Sequence, residues 1–298
     1  MTDPAPTHGL WADLHRPEYT SDDSDFTVIG VPYDGAACAR KGAALGPERI
    51  RFWSTHLTPF SEDRTRLGEI RIADLGDIPV TDQERDFKQV CQKVAALPNV
   101  PIILGGDHSI SIPVFEAQRQ RYQGQRLGVL WVDAHPDLCD VFTGSRLSHA
   151  CVLRRALEFG IQPEDVCMVG LRSWEEQEID LIENGGLNVY TAAHVAERGM
   201  RSVASSVHSK LRLCDAVHLS LDIDCLDPAI APGTGIPDSG GLTSREVITL
   251  LKSMQGLPLV GLDVVEVSPP IDPSEATIFA ALKIIVEYIA VFAREKQE

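Results

Sequence analysis

Acidic and imidazole side chains follow directly after three apolar segments of the chain. The three polar stretches are Gly105-Gly-Asp-His-Ser109, Asp133-Ala-His-Pro-Asp137 and Asp222-Ile-Asp224. Side chains two residues apart in an extended segment point to the same side, so Asp133, His135 and Asp137 are able to converge on one point. The same spacing brings together Asp222 and Asp224. This is the arrangement expected of ligands around a shared centre.

Together with His108, these residues supply two imidazoles and four carboxylates. So many anions are costly to bury unless cations compensate them. A single Asp-x-Asp is usually a turn or a cap, but three such clusters at the ends of three buried strands favour a site for two divalent metals. Imidazole suits Mn, Fe, Ni, Co or Zn, and the oxygen-rich set favours Mn²⁺ over Zn²⁺.

The elements that must position these residues are apolar on both faces. Such runs are typical of a parallel sheet covered by helices on each side. The predicted strands span 26–31, 100–104, 127–132, 166–169, 216–221 and 259–265, and the predicted helices span 87–97, 111–121, 150–159, 175–183, 244–254 and 274–293. The alternation predicts an α/β fold, a three-layer α/β/α arrangement with a mostly parallel central sheet. Ligands of open parallel sheets bind beyond the carboxyl ends of the strands, where the polar stretches and Glu266 lie.

Length and charge limit the alternatives. The 298 residues suit one domain at 26–298, preceded by a polar arm at 1–25 that we expect to lie over the surface. The formal charge of −16 argues against a nucleic-acid binder and against a protein of anionic membrane surfaces, and it suits binding of metal ions or of a cationic substrate.

Cysteine usage and the N-terminal residues bear on the compartment. The seven cysteines include no CxxC, and several lie in apolar runs, which is typical of reduced, buried thiols. The N-terminal residues do not resemble a signal peptide, and no uninterrupted apolar run approaches the length of a membrane span. We therefore expect a cytoplasmic protein.

Over about residues 26–292 the sequence resembles the ureohydrolase family of arginase, agmatinase and relatives. The resemblance is closest to the agmatinase branch. It is carried by the three polar stretches, extended to His218-Leu-Ser-Leu-Asp-Ile-Asp-Cys-Leu-Asp-Pro228, and by Val31 to Gly35, Lys41 to Arg49, Pro232 to Gly235, Gly240 to Thr243, Arg146 to Arg155 and Val264 to Pro270. The family implies an arginase-like fold and hydrolysis of a guanidino group to urea and an amine.

The resemblance also implies a role for each residue. His108, Asp133, Asp137 and Asp222 would hold one Mn²⁺ and Asp133, His135, Asp222 and Asp224 the other, with Asp133 and Asp222 bridging. Two such ions would activate a water that attacks the guanidinium carbon, with Asp137 counted among the catalytic residues. His149 would carry protons, and Glu266 would pair with the guanidinium. His218, in the middle of a strand, is expected to be a core histidine.

The substrate tail stays open at this point. We expect agmatine, giving putrescine and urea, with Asp140 or Asp238 attracting the amine. Arg146 would instead attract a carboxylate, as in a guanidinobutyrase or guanidinopropionase, and the chain lacks the Asn- and Ser-rich loop of arginases. A deacetylase-like amide hydrolase, with one metal, and a non-catalytic descendant are weaker alternatives. The family implies a homotrimer or homohexamer whose partner is a small guanidino substrate, with no nucleic acid and no membrane.

Overall fold

The computed structural model describes residues 3–297, which contain one sheet of eight strands. All pairings between neighbouring strands are parallel, in the order β2-β1-β3-β8-β7-β4-β5-β6. The strands are β1 (Phe26–Val31), β2 (Ile72–Asp77), β3 (Val100–Gly105), β4 (Leu127–Val132), β5 (Val166–Val169), β6 (Asn188–Tyr190), β7 (Ala216–Asp222) and β8 (Leu259–Val265). The order places β3, β8, β7 and β4, which carry the predicted ligands and Glu266, side by side.

Helices cover both faces of the sheet. They are α1 (Gly46–Ser54), α2 (Gln83–Ala95), α3 (Ser111–Arg121), α4 (Val152–Glu158), α5 (Ile179–Asn184), α6 (Ala192–Arg198), α7 (Met200–Leu211), α8 (Ser244–Lys252) and α9 (Ala276–Gln297). Successive side chains of the strands enter opposite apolar clusters: Leu130 belongs to the cluster on the side of α1 and α6 to α9, and Trp131 belongs to the cluster on the side of α2 to α5. The three-layer α/β/α fold is therefore confirmed.

The two strands that the sequence did not predict are at the edges of the sheet. Strand β2 contains two aspartates and a glycine and is buried only at its start, and the three residues of β6 are all half-buried. Neither has the continuous apolar run that a central parallel strand needs. Helices α1, α6 and α7 were also missed by the pattern analysis.

The first residues of the described chain pack along this edge. Trp11 is 2% exposed, and its indole N–H donates to Asp74 of β2. His15 forms an isolated bridge with Ile72. At the other end of the chain, α9 is long and apolar enough to cross a membrane, but 72% of its apolar window is buried inside the domain. It packs against α1 and α8 as a core helix.

Candidate metal centre and cavity

Short turns at the ends of the central strands aim the acidic side chains. The backbone N–H of His135 donates to Oδ1 of Asp133 (2.6 Å), and that of Asp224 donates to Oδ1 of Asp222 (2.8 Å). Each of these aspartates therefore holds the turn that follows it with Oδ1, and its Oδ2 faces Nδ1 of His108. This local bond is the physical reason for the two-residue spacing seen in the sequence.

Two groups of potential ligand atoms result. In the first, Nδ1 of His108 lies 3.1 Å from Oδ2 of Asp133, 3.2 Å from Oδ2 of Asp137 and 3.3 Å from Oδ2 of Asp222. In the second, Nδ1 of His135 lies 3.1 Å from Oδ2 of Asp224 and 3.5 Å from Oδ1 of Asp133. Asp133 thus contributes one oxygen to each group. The structure brings together all six predicted ligands: His108, Asp133, His135, Asp137, Asp222 and Asp224.

The donor atoms fit two divalent cations. Nδ1 of His108 and Oδ2 of Asp133 are buried and accept or donate no hydrogen bond within the described part of the chain. Burial, followed by the neighbouring carboxylates, raises the pKa of Asp222 well above its usual value. Burial alone would lower the pKa of His135, but Asp224 and Asp133 outweigh it and raise that pKa to about 12. The site therefore attracts positive charge, which metal ions would supply.

Two residues of the site have an unusual backbone conformation. Asp137 has a φ of 49° and Glu266 a φ of 61°, both in the left-handed region. Such a conformation costs a non-glycine residue about 1–3 kcal/mol. The carbonyl of Asp137 accepts from the N–H groups of Leu153 and Arg154, and the N–H of Glu266 donates to the carbonyl of Gly106. These bonds from the surrounding fold hold the two carboxylates in place.

Residues of both groups of ligand atoms lie at the floor of a cavity, and Glu266 and His149 line the same cavity. Oε1 of Glu266 accepts from the backbone N–H of His108 (2.9 Å) and lies 3.8 Å from Nδ1 of His149. Nε2 of His149 is buried without a hydrogen-bond partner among the described residues. Burial and the imidazoles of His108 and His135 lower the pKa of His149 to about 4.

Three charged side chains that the sequence analysis missed line the outer part of the cavity: Arg40, Glu175 and Glu178. The guanidinium of Arg40 donates to the carbonyls of Thr234 and Gly235. The carboxylate of Glu178 is buried and accepts from the N–H groups of Leu138 and Glu175. Within residues 3–297 none of the three is in an ion pair. In the sequence, Arg40 lies in a loop and the two glutamates lie at the start of a predicted helix, and neither position signals a cavity.

Asp140 and Arg146, the residues expected at the pocket mouth, are not part of the cavity wall. Arg146 pairs with Asp140 and, at 2.9 Å, with Glu158. The buried Arg155 adds a 2.7 Å contact to the same oxygen of Asp140. These two side chains therefore satisfy one another's charge near the start of α4 instead of facing a substrate. His218 lies in the middle of β7, fully buried and apart from the ligand groups.

Comparisons with known proteins agree with this arrangement. The chain is 33% identical over 276 residues to an agmatinase of Bacillus anthracis, covering 90% of this chain and 92% of that protein. It is 31% identical over 277 residues to a guanidinobutyrase of Pseudomonas aeruginosa, covering 90% and 86%. The solved structure of proclavaminate amidino hydrolase from Streptomyces clavuligerus superposes with a TM-score of 0.86, with 34% identity and 98% of each chain covered. The model of the arginase family matches residues 24–290. The protein is therefore a hydrolase that belongs to the arginase, or ureohydrolase, family.

Proposed function

We propose that this protein is a dinuclear-metal ureohydrolase that cleaves agmatine to putrescine and urea. The observation that carries the proposal is one cavity whose floor presents two groups of metal-ligand atoms and whose wall presents Glu266 and His149. Neither group of side chains alone would suffice. The ligand atoms would bind ions without selecting a guanidinium, and Glu266 would bind a guanidinium without cleaving it.

The metals that fit this floor are two divalent ions, with Mn²⁺ proposed because the set is rich in oxygen. One would be held by His108, Asp133, Asp137 and Asp222, and the other by Asp133, His135, Asp222 and Asp224. When bound, such ions supply an activated water and stabilise charge on the reacting group. Asp133 offers a separate oxygen to each group, and we propose Asp222 as the second bridging residue.

Glu266 is proposed to orient the guanidinium. One of its oxygens is used by the N–H of His108, which leaves the other to accept from the substrate. A carboxylate fixed at one oxygen keeps its plane, and a planar guanidinium pairs with it over the metal groups.

His149 is proposed to move a proton during departure of the amine. Its low pKa keeps the imidazole neutral near pH 7, so that it is able to accept a proton. The nitrogen that carries no hydrogen bond in the described structure, Nε2, is free to do so. Its partial burial shields it from bulk water.

Agmatine is preferred as the substrate because of the charges in the outer cavity. The two carboxylates of Glu175 and Glu178 have no cationic partner in the described chain, and the ammonium tail of agmatine would provide one. Glu178 is the stronger candidate because it is only 2% exposed. One observation favours a second candidate, a guanidino acid such as guanidinobutyrate or guanidinopropionate. Arg40 is a cation without an acidic partner on the same wall, and it would attract a carboxylate tail.

Urea release from agmatine, guanidinobutyrate, guanidinopropionate and arginine tests both candidates in protein loaded with Mn²⁺. We expect agmatine to have the highest kcat/KM, and Glu178→Gln to reduce it about 10- to 100-fold, the effect of one charged hydrogen bond. Arg40→Gln is the matched control and should leave agmatine hydrolysis nearly unchanged. A preference for guanidinobutyrate that disappears in Arg40→Gln would establish the guanidino-acid assignment. No urea from any of the four compounds would refute the proposed chemistry.

A further inference from the structure

A chain of buried polar side chains extends from His108 away from the cavity and into the core. Nε2 of His108 lies 3.0 Å from Oγ of Ser220, and that hydroxyl lies 2.7 Å from Oδ1 of Asp263. Oδ2 of Asp263 lies 2.6 Å from Nε2 of His218, whose Nδ1 lies 3.1 Å from the amide nitrogen of Gln118. All five side chains are at most 1% exposed. None of the four residues beyond His108 lines the cavity.

The donors and acceptors of the network allow one arrangement of protons. The amide of Gln118 donates to the carbonyl of Val260 and to Nδ1 of His218, which leaves Nε2–H of His218 to donate to Asp263. An ionised carboxylate only accepts, so the hydroxyl of Ser220 also donates to Asp263. The oxygen of Ser220 is then available only as an acceptor for Nε2–H of His108.

The consequence for His108 is a fixed tautomer. With its proton on Nε2, the lone pair of Nδ1 points toward Asp133, Asp137 and Asp222, the first group of ligand atoms. The ring is also held in plane by Trp131, which stacks on it with a centroid separation of 4.4 Å and an interplanar angle of 7°. A ligand that is fixed in both plane and tautomer binds a cation without further rearrangement.

We propose that Ser220 and Asp263 are positioning residues, which hold His108 as the Nε2–H tautomer and so raise the metal affinity of the first ligand group. The inference rests on the metal centre of the proposed function. It assigns a role to two buried residues that do not line the cavity. Ser220 is bonded to His108, and Asp263, its neighbour on the adjacent strand β8, acts on the centre through Ser220 and His108.

The decisive variant is Asp263→Asn. Because Nε2–H of His218 needs an acceptor, the Asn oxygen takes the position facing His218, and its amide N–H₂ faces Ser220. The hydroxyl of Ser220 would then donate to His108 and leave the proton on Nδ1, where it blocks the ligand position. Ser220→Ala removes the acceptor altogether. Ser111→Ala is the matched control, since Oγ of Ser111 donates to the same oxygen of Asp263 at 2.8 Å without being bonded to His108.

Titration of the full-length protein with Mn²⁺ measures the effect. We expect Asp263→Asn and Ser220→Ala to weaken binding of one of the two ions about 10- to 100-fold, the usual effect of losing an outer partner of a metal-binding histidine. The other ion and the Ser111→Ala variant should keep wild-type affinity. If the wild type and the three variants all bind two ions with equal affinity, the inference is overturned and the proposed function is unaffected. A wild type that binds no divalent ion would refute the proposed function.

A spectroscopic measurement on the wild type keeps the inference testable even if a variant does not fold. In ¹⁵N-histidine-labelled protein loaded with diamagnetic Zn²⁺, we expect a slowly exchanging Nε2–H signal for His108, assigned by its loss in His108→Gln. The signal should be lost or displaced in Ser220→Ala and kept in Ser111→Ala. A His108 signal with the proton on Nδ1 and the metal on Nε2 would overturn the inference.

Discussion

Replacing Glu266 by glutamine separates substrate binding from the rest of the catalytic machinery. The amide keeps the size of the carboxylate, and its oxygen is still able to accept from the backbone N–H of His108, as Oε1 does now over 2.9 Å. The second position changes from an anionic acceptor to an N–H₂ donor that faces the donors of the guanidinium. The variant therefore loses one charged hydrogen bond to the substrate and keeps the acceptor for the backbone N–H of His108.

The expected magnitude follows from that single bond. A hydrogen bond to a charged group contributes about 1.5–3 kcal/mol, and each 1.4 kcal/mol corresponds to about a tenfold change in affinity. We therefore expect kcat/KM to fall about 10- to 100-fold. Because Glu266 is proposed to contact the guanidinium in both the ground state and the transition state, most of the loss should be in KM, with a smaller loss in kcat.

Steady-state urea release from agmatine and from a guanidino compound without a charged tail provides the assay. Glu266→Gln should affect both compounds to a similar extent. Glu178→Gln should reduce hydrolysis of agmatine more than that of the other compound, which measures the smaller loss from removing an acceptor for the backbone N–H of Leu138 or Glu175. Both variants should bind two metal ions per chain. An unchanged KM for both compounds in Glu266→Gln, with both ions bound, would refute the assignment of Glu266 to the guanidinium.

Four further predictions follow from particular contacts. Asp133→Ala should weaken the binding of both ions, because the two oxygens of Asp133 belong to different ligand groups, whereas His108→Ala should mainly weaken the binding of one ion. Two tightly bound ions and full activity in Asp133→Ala would contradict the bridging assignment. His149→Ala should lower kcat about 10²- to 10⁴-fold with both ions retained, as measured by metal analysis beside the kinetics, and an unchanged kcat would exclude it as the proton carrier. Asp272 caps the start of α9 by accepting from the backbone N–H and the hydroxyl of both Ser274 and Thr277, so Asp272→Ala should lower the free energy of unfolding by about 1–2 kcal/mol. Burial raises the pKa of Asp272, but those hydrogen bonds outweigh it and hold the pKa below its usual value. The contribution of Asp272 to stability is therefore present above about pH 4 and is lost as the pH falls further. The free energies of unfolding of the wild type and of Asp272→Ala, measured in urea, should converge toward acid pH, and a difference that stays constant with pH would contradict the cap. From the family resemblance we expect a homotrimer or homohexamer, and sedimentation showing only monomer at micromolar concentration would exclude it.

The sequence predicted the central strands better than the edges, for a physical reason. Strands β3, β4, β7 and β8 are buried on both faces, so their residues are mostly apolar, and the polar ligand residues lie at or directly after the strand ends. Strand β2, at the edge, follows no such rule. The six ligand residues were predictable for the same reason, because the ends of parallel strands meet at one edge of the sheet.

Residues that depend on loop paths were not predictable. Arg40 and Glu178 reach the cavity only because the loops after β1 and β5 fold over it, and no periodicity records that path. Conversely, Arg146 is close to His149 in the sequence, but Asp140 and Glu158 pair with it outside the cavity. The role of Asp263 was not predictable for another reason. A single acidic residue inside an apolar strand needs a buried partner, and the partner is identified only when the neighbouring strand is known.

The left-handed backbone at Asp137 and Glu266 also bears on how this protein would respond to selection. Glycine adopts that conformation at lower cost than aspartate or glutamate, and asparagine at lower cost than glutamate. A library selected for heat resistance alone would therefore accumulate glycine at position 137 and glycine or asparagine at position 266, and the most stable variants would lack activity. The residues found at positions 137 and 266 of a stabilised variant would therefore show whether it had been selected for catalysis as well as for stability.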